Sequence, residues 1–166
     1  MIAPKPAEPL KTASKVARST HLDSVRFLQG SFVVEKMDVE PRDDDGLGSS
    51  FSFDMQPSEG RLLSRVSITL EVQQRGAPPL HRVTVKGTIE LGYRMTAKFA
   101  AEELEAFSRI NGIYHAWPYW REFVQSSTTR AGLPPLTLHP IQAPDAMVMA
   151  GFAPPAPAAS KTKSSG

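Results

Sequence analysis

Cysteine is absent from the 166-residue chain. Its absence excludes disulfide bonds and thiolate metal sites, and it fits a reducing compartment. Net charge is also small, because 19 Lys and Arg residues nearly balance 17 Asp and Glu residues and leave +2. Such a balance favours solubility and gives no strong attraction to nucleic acid.

Long hydrophobic runs are absent too. No apolar run approaches the ~18 residues that a membrane span needs, and the N-terminus lacks the apolar stretch of a signal peptide. The sequence therefore predicts a cytoplasmic protein that does not insert into a membrane. A chain of 166 residues is long enough for one domain with a core of its own and short for two.

Motifs for catalysis, metal binding or phosphate binding are missing as well. No serine lies in a G-x-S-x-G motif, and there is no P-loop. Glu102, Glu103 and Glu105 are clustered as on a solvated helix face. The histidines lack metal-ligand spacing; they are His21, His81, His115 and His139. The sequence therefore predicts a protein that is not an enzyme and needs no metal or cofactor.

A turn-rich stretch at residues 41–48 contains three consecutive aspartates and raises the possibility of a calcium loop. Setting Gly46 at the sixth loop position puts Pro41 at the first and Ser52 at the twelfth, where an EF-hand needs Asp and Glu. The spacing predicts a solvated turn instead of a calcium site.

Four segments rich in strand-forming residues follow one another with no helix between them. Gly30 in the first predicts a bulge or bend, Pro57 is expected to end the second, and Gly87 interrupts the fourth. Consecutive strands with short connections imply an antiparallel sheet. The four segments are residues 25–37, 51–55, 65–73 and 83–93.

Helical patterns follow the strands. Residues 100–108 predict a first helix, which Asn111 and Gly112 are expected to end. A second helix carries an apolar stripe at i, i+4, i+7 and i+11, and Pro118 predicts a kink or a break within it. The stripe is Ile113, Trp117, Trp120 and Val124. The order of elements predicts an α+β fold, a four-stranded antiparallel sheet followed by C-terminal helices packed on it.

The helical segment carries W-P-Y-W-R-E at residues 117–122, and S-T-T-R-A-G-L-P-P-L-T-L-H-P-I follows at residues 127–141. This stretch resembles the signature of SecB-type export chaperones, in which an F-P-Y-x-R-E helix runs into R-G-x-x-P-x-L-x-L-x-P-[VI]. The matching positions are Pro118, Tyr119, Arg121, Glu122, Arg130, Gly132, Pro135, Leu136, Leu138, Pro140 and Ile141. An aromatic stripe at helical spacing is also typical of an ordinary core.

The resemblance implies a holdase, a chaperone that binds unfolded polypeptides or preproteins in hydrophobic grooves and keeps them competent for export. It also implies a homotetramer built as a dimer of dimers. Mapped by order, the client-contacting strand corresponds to Phe51, Phe53 and Met55. The covering helix corresponds to Trp117, Trp120 and Val124. For the three strand residues, the inner face of the sheet is the alternative role.

The resemblance also implies the export motor SecA as a partner, but the sequence departs from the family there. SecB proteins present an acidic sheet face to SecA, whereas Glu35 is the only carboxylate that residues 29–35 offer. A further C-terminal helix is also missing from the pattern. We therefore expect weak SecA binding and a stand-alone or specialised role, as in the SecB-like chaperones that partner an antitoxin in toxin–antitoxin systems.

A nucleic-acid-binding module is the other function considered. It would need aromatic residues interleaved with Lys and Arg on the polar sheet face. That face is neither aromatic nor consistently basic, and it disfavours nucleic acid as a partner. Its residues in the third and fourth predicted strands include Ser67, Thr69, Glu71, Thr84, Lys86 and Glu90.

The domain prediction has three parts. Residues 1–21 are expected to form a disordered N-terminal arm, because prolines, alanines and lysines alternate there without a sustained apolar period. A basic amphipathic membrane helix is the alternative, but only Leu10 and Val16 could supply its apolar face. Residues 22–141 are expected to form the SecB-like chaperone domain. Residues 142–166 are expected to form a disordered tail rich in Pro, Ala and Lys.

Overall fold

The computed structural model describes residues 8–35, 45–74 and 80–152. Among them, no helix is both long enough and apolar enough to cross a membrane. The elements, in chain order, are α1 (Glu8–Ala17), β1 (Thr20–Val34), β2 (Asp45–Ser58), β3 (Arg61–Gln74), β4 (Leu80–Met95), α2 (Ala101–Arg130) and α3 (Ala143–Met149).

The strands form one antiparallel sheet in the order β1-β4-β3-β2. β2 and β3 are joined by a tight turn in which Gly60 has a φ of 67°. β1 pairs with β4 from Thr20 opposite Met95 to Val34 opposite Val83. The predicted α+β fold with a four-stranded antiparallel sheet is confirmed, and β1 and β2 are its two outer strands.

The sheet has one apolar face and one polar face. The face that packs against α2, called the covered face below, carries buried residues such as Val66 and Ile68 of β3. The opposite face, called the polar face, carries Glu90 between two arginines. Its carboxylate accepts from Arg26 at 2.6 Å and from Arg65 at 2.9 Å. The alternation, clearest along β3, thus separates core from solvent, as period-2 patterning requires.

α2 is one continuous helix of 30 residues, so the predicted break after residue 108 is wrong. Gly112 is buried where the helix approaches the sheet, and a Cβ there would lie 3.0 Å from Cγ2 of Val66. The glycine therefore serves close packing instead of ending the helix. A break at Pro118 is likewise wrong, because the helix continues through this exposed residue.

The N-terminal arm predicted for residues 1–21 is wrong over Glu8–Ala17, which form α1. Ala13 and Val16 are fully buried, and Lys15 Nζ lies 2.6 Å from Glu103 Oε1 of α2. A small apolar face is enough because α2 provides the surface that buries it. Residues 1–7 of the predicted arm lie outside the described residues.

After α2 the chain turns back along the same helix. The backbone N–H of Leu136 donates to Thr128 Oγ1 at 3.2 Å. Arg121 Nε donates to the carbonyl of Leu138 at 2.6 Å, and Trp117 Nε1 donates to that of His139 at 2.7 Å. These side chains fix the non-helical segment of residues 131–142, called the return segment below.

α3 follows the return segment and buries Ala146 and Met147. The disordered tail predicted for residues 142–166 is therefore wrong over Ala143–Met149, because this short helix packs on α2. Residues 153–166 lie outside the described part of the chain.

Strand details also differ from expectation. β2 begins at Asp45, so residues 45–48 of the predicted turn belong to a strand. The other residues of that turn, 41–44, lie outside the described ranges. Pro57 lies within β2 instead of ending it. β1 has two register shifts, between Leu22 and Ser24 and between Phe27 and Gln29. The expected irregularity is thus present, although Gly30 itself is regularly paired; residues 36–37, the predicted end of this strand, lie outside the described ranges.

Candidate functional site

Phe51, Phe53 and Met55 lie on the covered face of β2, at the rim of the sheet. Each is half-buried and packs against the hydrophobic core. Their neighbours Ser52 and Asp54 lie on the polar face and are exposed. The two roles considered for the three apolar residues are therefore compatible, since they belong to the inner face of the sheet and keep part of their surface free.

An ion pair from α2 borders this apolar stripe. The guanidinium carbon of Arg109 lies 5.6 Å from the ring centroid of Phe53, within range of a cation–π contact. Arg109 also pairs with Glu105, one helical turn earlier, at 3.0 Å. Sequence reasoning missed Arg109. The i, i+4 spacing of the pair is a signal for helical neighbours, but it does not indicate the sheet residue they contact.

A hydroxyl contact lies next to the stripe. Ser64, opposite Met55 in the β2–β3 ladder, meets Ser108 of α2 with their two hydroxyl oxygens 2.7 Å apart. Both residues are buried. One hydroxyl donates to the other, and Ser64 Oγ also lies 3.4 Å from the carbonyl oxygen of Ser108. This small polar contact between sheet and helix therefore leaves neither side chain without a partner.

The three helix residues predicted to bind clients lie in the core. Trp120 and Val124 have no exposed surface, and Trp117 is 7% exposed. The indole N–H of Trp120 is buried without a hydrogen-bond partner. A contact role for Trp120 and Val124 conflicts with this burial, because a client can touch only accessible atoms.

Glu35, the residue predicted to bind SecA, directly follows β1 and is exposed. Its backbone N–H donates to the carbonyl of Arg82 at 3.0 Å. On the polar face, carboxylates such as Asp54 and Glu90 alternate with arginines such as Arg65. This face therefore has mixed charge.

A second polar group joins α2 to β4. Tyr93 OH and His115 Nδ1 lie 3.0 Å apart. Burial raises the pKa of Tyr93 and lowers the pKa of His115. Both groups are therefore mainly neutral at neutral pH and share one hydrogen bond, whose donor is set by the tautomer of the imidazole. A concave pocket beside them is lined by Tyr114, Tyr119 and Pro140.

In a chain without cysteine, a metal ion would need a cluster of acidic residues and histidines. Within the three described ranges, no cluster of three or more such residues is found. The described side chains thus give no candidate metal centre. The candidate site is the stripe of Phe51, Phe53 and Met55, called the apolar rim of β2 below.

Comparison with known proteins rests on structure. No family model matches the chain, and no curated protein sequence does. The fold is similar to that of a Mycobacterium tuberculosis SecB-like chaperone solved in complex with a ChAD peptide from the HigA1 antitoxin. The TM-score is 0.67 and the identity 21%, over 80% of this chain and 97% of that one.

The chain has a SecB-like fold. The similar protein is a SecB-like chaperone. A Streptococcus agalactiae protein of unknown function was also found, with a TM-score of 0.34 and 12% identity over 72% of this chain and 96% of that one. Similarity of that degree carries no argument about fold or function.

Proposed function

We propose that the chain is a SecB-like holdase that binds unfolded polypeptides through the apolar rim of β2. The observation that carries this proposal is the half-exposed stripe of Phe51, Phe53 and Met55 on an outer strand. Residues at alternate positions of one strand share a face. The stripe therefore presents apolar groups with the same period as the side chains of an extended client.

The expected energetics need no cofactor. An apolar side chain that becomes fully buried contributes ~1.5–3 kcal/mol, and the ordering of client and side chains offsets part of that gain. A single rim of three residues therefore binds weakly. Several rims in one assembly would bind strongly, because each later contact with the same client is intramolecular.

We propose such an assembly as a homotetramer, a dimer of dimers. Outer strand β1 exposes apolar side chains that association would bury, among them Phe27, Leu28 and Val33. Analytical ultracentrifugation tests this. A strict monomer at a concentration of tens of micromolar would remove the basis for multivalent binding across subunits.

Two client classes fit the proposal. One is unfolded proteins or preproteins in general, including exported ones handed to SecA. The other is a dedicated segment of an antitoxin, which the bound peptide of the similar structure favours. An antitoxin client would be bound with sequence preference, whereas a general holdase would suppress aggregation of unrelated proteins.

The test is suppression of light scattering by an unfolding client protein. The triple variant Phe51→Ser, Phe53→Ser, Met55→Ser should lose most of this activity while keeping its circular dichroism spectrum and oligomeric state. Val148→Ser is the matched control, because it removes an exposed apolar side chain from α3. Full activity in a folded triple variant would contradict the proposal.

A gel shift with single-stranded nucleic acid at moderate salt distinguishes a holdase from a nucleic-acid-binding module. A nucleic-acid module would shift the probe and leave the aggregating client unaffected. The mixed charge of the polar face predicts no shift.

A further inference from the structure

The direction of each backbone group in β2 follows from the hydrogen bonds of its neighbours. The N–H of Met95 in β4 donates to the carbonyl of Gly60 at 2.8 Å. Backbone groups of successive strand residues point to opposite sides. At the start of β3, the backbone N–H and C=O groups of even-numbered residues therefore point to β4. Those of odd-numbered residues, from Arg61 onward, point to β2.

The β2–β3 ladder, which has no register shift, extends this alternation to β2. Arg61 pairs with Ser58, so the even-numbered residues of β2 direct their N–H and C=O groups to β3. The odd-numbered residues direct theirs outward. Pro57 fits, because its missing N–H falls on the outer side, where the ladder loses nothing.

Phe51, Phe53 and Met55 are odd-numbered members of β2. Their side chains form the apolar rim, and their backbone N–H and C=O groups point away from β3 along the outer edge of the sheet. In the part of the chain that the structure describes, β2 pairs with β3 alone. The same three residues thus offer both apolar side chains and unpaired backbone groups.

We propose that an extended client segment adds to this edge as a fifth, antiparallel strand, a mode that rests on the holdase function proposed above. A client residue opposite Phe53 would exchange two backbone hydrogen bonds with it. Its side chain would lie on the covered face, against the apolar rim. Backbone pairing binds without regard to sequence, and the alternate side chains give the selectivity.

The chemistry of the two faces defines the segment. Positions over the rim are apolar. Positions between them lie on the polar face beside Ser50, Ser52 and Asp54, all of which are exposed. The side chain of Asp54 is 59% exposed, and its contact with Arg65 is long, at 3.5 Å. Charge complementarity therefore favours lysine or arginine at these positions.

The probe is a fluorescein-labelled peptide of about nine alternating valine and lysine residues, long enough to span the outward residues of the edge. Its isomer with all valines together keeps the composition and loses the alternation. Fluorescence anisotropy with the full chain should give a Kd at least about tenfold weaker for the isomer.

Methylation of the peptide backbone tests the hydrogen bonds directly. In the antiparallel arrangement the valine N–H groups point to β2 and the lysine N–H groups point to solvent. Methylating the valine nitrogens should weaken binding about tenfold or more, whereas methylating the lysine nitrogens should have little effect. With four nitrogens methylated in each case, the two peptides have the same formula, so overall hydrophobicity does not separate them.

Three outcomes contradict the proposal. Equal effects of both methylated peptides, in a protein that still holds unfolding clients, would mean capture by side chains alone, and the holdase function would survive. A loss caused only by methylated lysines would mean parallel pairing. Loss of peptide binding upon self-association of the chain would mean that a second copy occupies the edge.

A protein variant provides an independent check. Phe53→Pro removes an outward N–H without removing a bond to β3, and Phe53→Ala removes the same ring while keeping that N–H. The Phe53→Pro variant should bind the peptide several-fold more weakly than the Phe53→Ala variant, and the two should have equal circular dichroism spectra. Met55→Pro and Met55→Ala form a second such pair, in case Phe53→Pro fails to fold. Equal affinities within a folded pair would overturn the proposal.

Discussion

The indole ring of Trp120 lies directly against Gly87, so that a Cβ on this glycine would be 2.7 Å from Cζ3 of the ring. Gly30 of β1 lies opposite Gly87. A Cβ on Gly30 would be 2.6 Å from Cζ of Phe123. Two glycines that face each other across β1 and β4 thus form a shallow depression in the sheet. The rings of α2 lie in this depression, which lets helix and sheet approach each other closely there.

Gly87→Ala is expected to lower the free energy of unfolding by about 1–3 kcal/mol, because the added methyl group overlaps a ring that has no free space to move into. Chemical denaturation measures the change. Gly48→Ala in β2 is the matched control, since its Cβ would have no neighbour nearer than 3.9 Å. Equal unfolding midpoints for the two variants would contradict the close packing.

Trp117→Phe is expected to release the return segment. Its indole N–H donates to the carbonyl of His139 at 2.7 Å, and loss of such a bond costs about 0.5–1.5 kcal/mol. Limited proteolysis within residues 131–142 should become faster. Trp120→Phe is the control, because it removes an indole N–H that has no partner. A cleavage rate that is the same in both variants would count against the role of this hydrogen bond.

Stability is expected to fall as the pH is lowered below about 6.5, the ordinary pKa of histidine. Burial lowers the pKa of His115, so the unfolded chain binds this proton at a higher pH than the folded chain does. The contribution is therefore present above pH 6.5 and is lost as the pH falls through the folded-state pKa.

Chemical denaturation at pH 7 and at about pH 5.5 measures this loss, and His115→Gln should lessen it. The pKa of Glu103 is lowered by hydrogen bonds from Lys15 and from the Ala100 N–H. Its contribution is lost only below its ordinary value of 4.5 and does not interfere. An identical pH dependence in wild type and His115→Gln would show that the imidazole does not titrate on unfolding.

A zinc-loaded SecA tail peptide is expected to bind poorly. Exposed charge pairs contribute at most ~1 kcal/mol each, and the polar face offers carboxylates that arginines already contact. Calorimetric titration at low salt, where screening is least, is the measurement. Micromolar affinity that Glu35→Ala abolishes and Glu59→Ala preserves would instead support a role in export.

Local patterns predicted most of the sheet, because alternation in β3 and β4 reflects a buried face and an open one. They failed where small residues pack. In the sequence, Ala13 looks too small for a core residue, and Gly112 looks unfavourable for a helix interior. Both lie where another element approaches closely. Such closeness depends on tertiary contacts, and no window of sequence contains them.

The candidate site was predictable in the same uneven way. Alternation in β2 identified Phe51, Phe53 and Met55, whereas the stripe in α2 led to Trp120 and Val124, which the core buries. Strand order decides that β2 is an outer strand, and it follows from β1 pairing with distant β4. Arg109 is likewise placed beside Phe53 only by the crossing of α2 over the sheet.

The pairing of β1 with β4 also sets the order of events during synthesis. β1 leaves the ribosome well before β4, its neighbour in the sheet, because β2 and β3 lie between them in the chain. At about 5–20 residues per second, β1 spends seconds without its partner, with Phe27 and Leu28 in solution. Closing this long loop carries an entropic cost, so we expect β1 to dock late in folding. A protein proposed to protect unfolded chains thus passes through an aggregation-prone nascent state of its own.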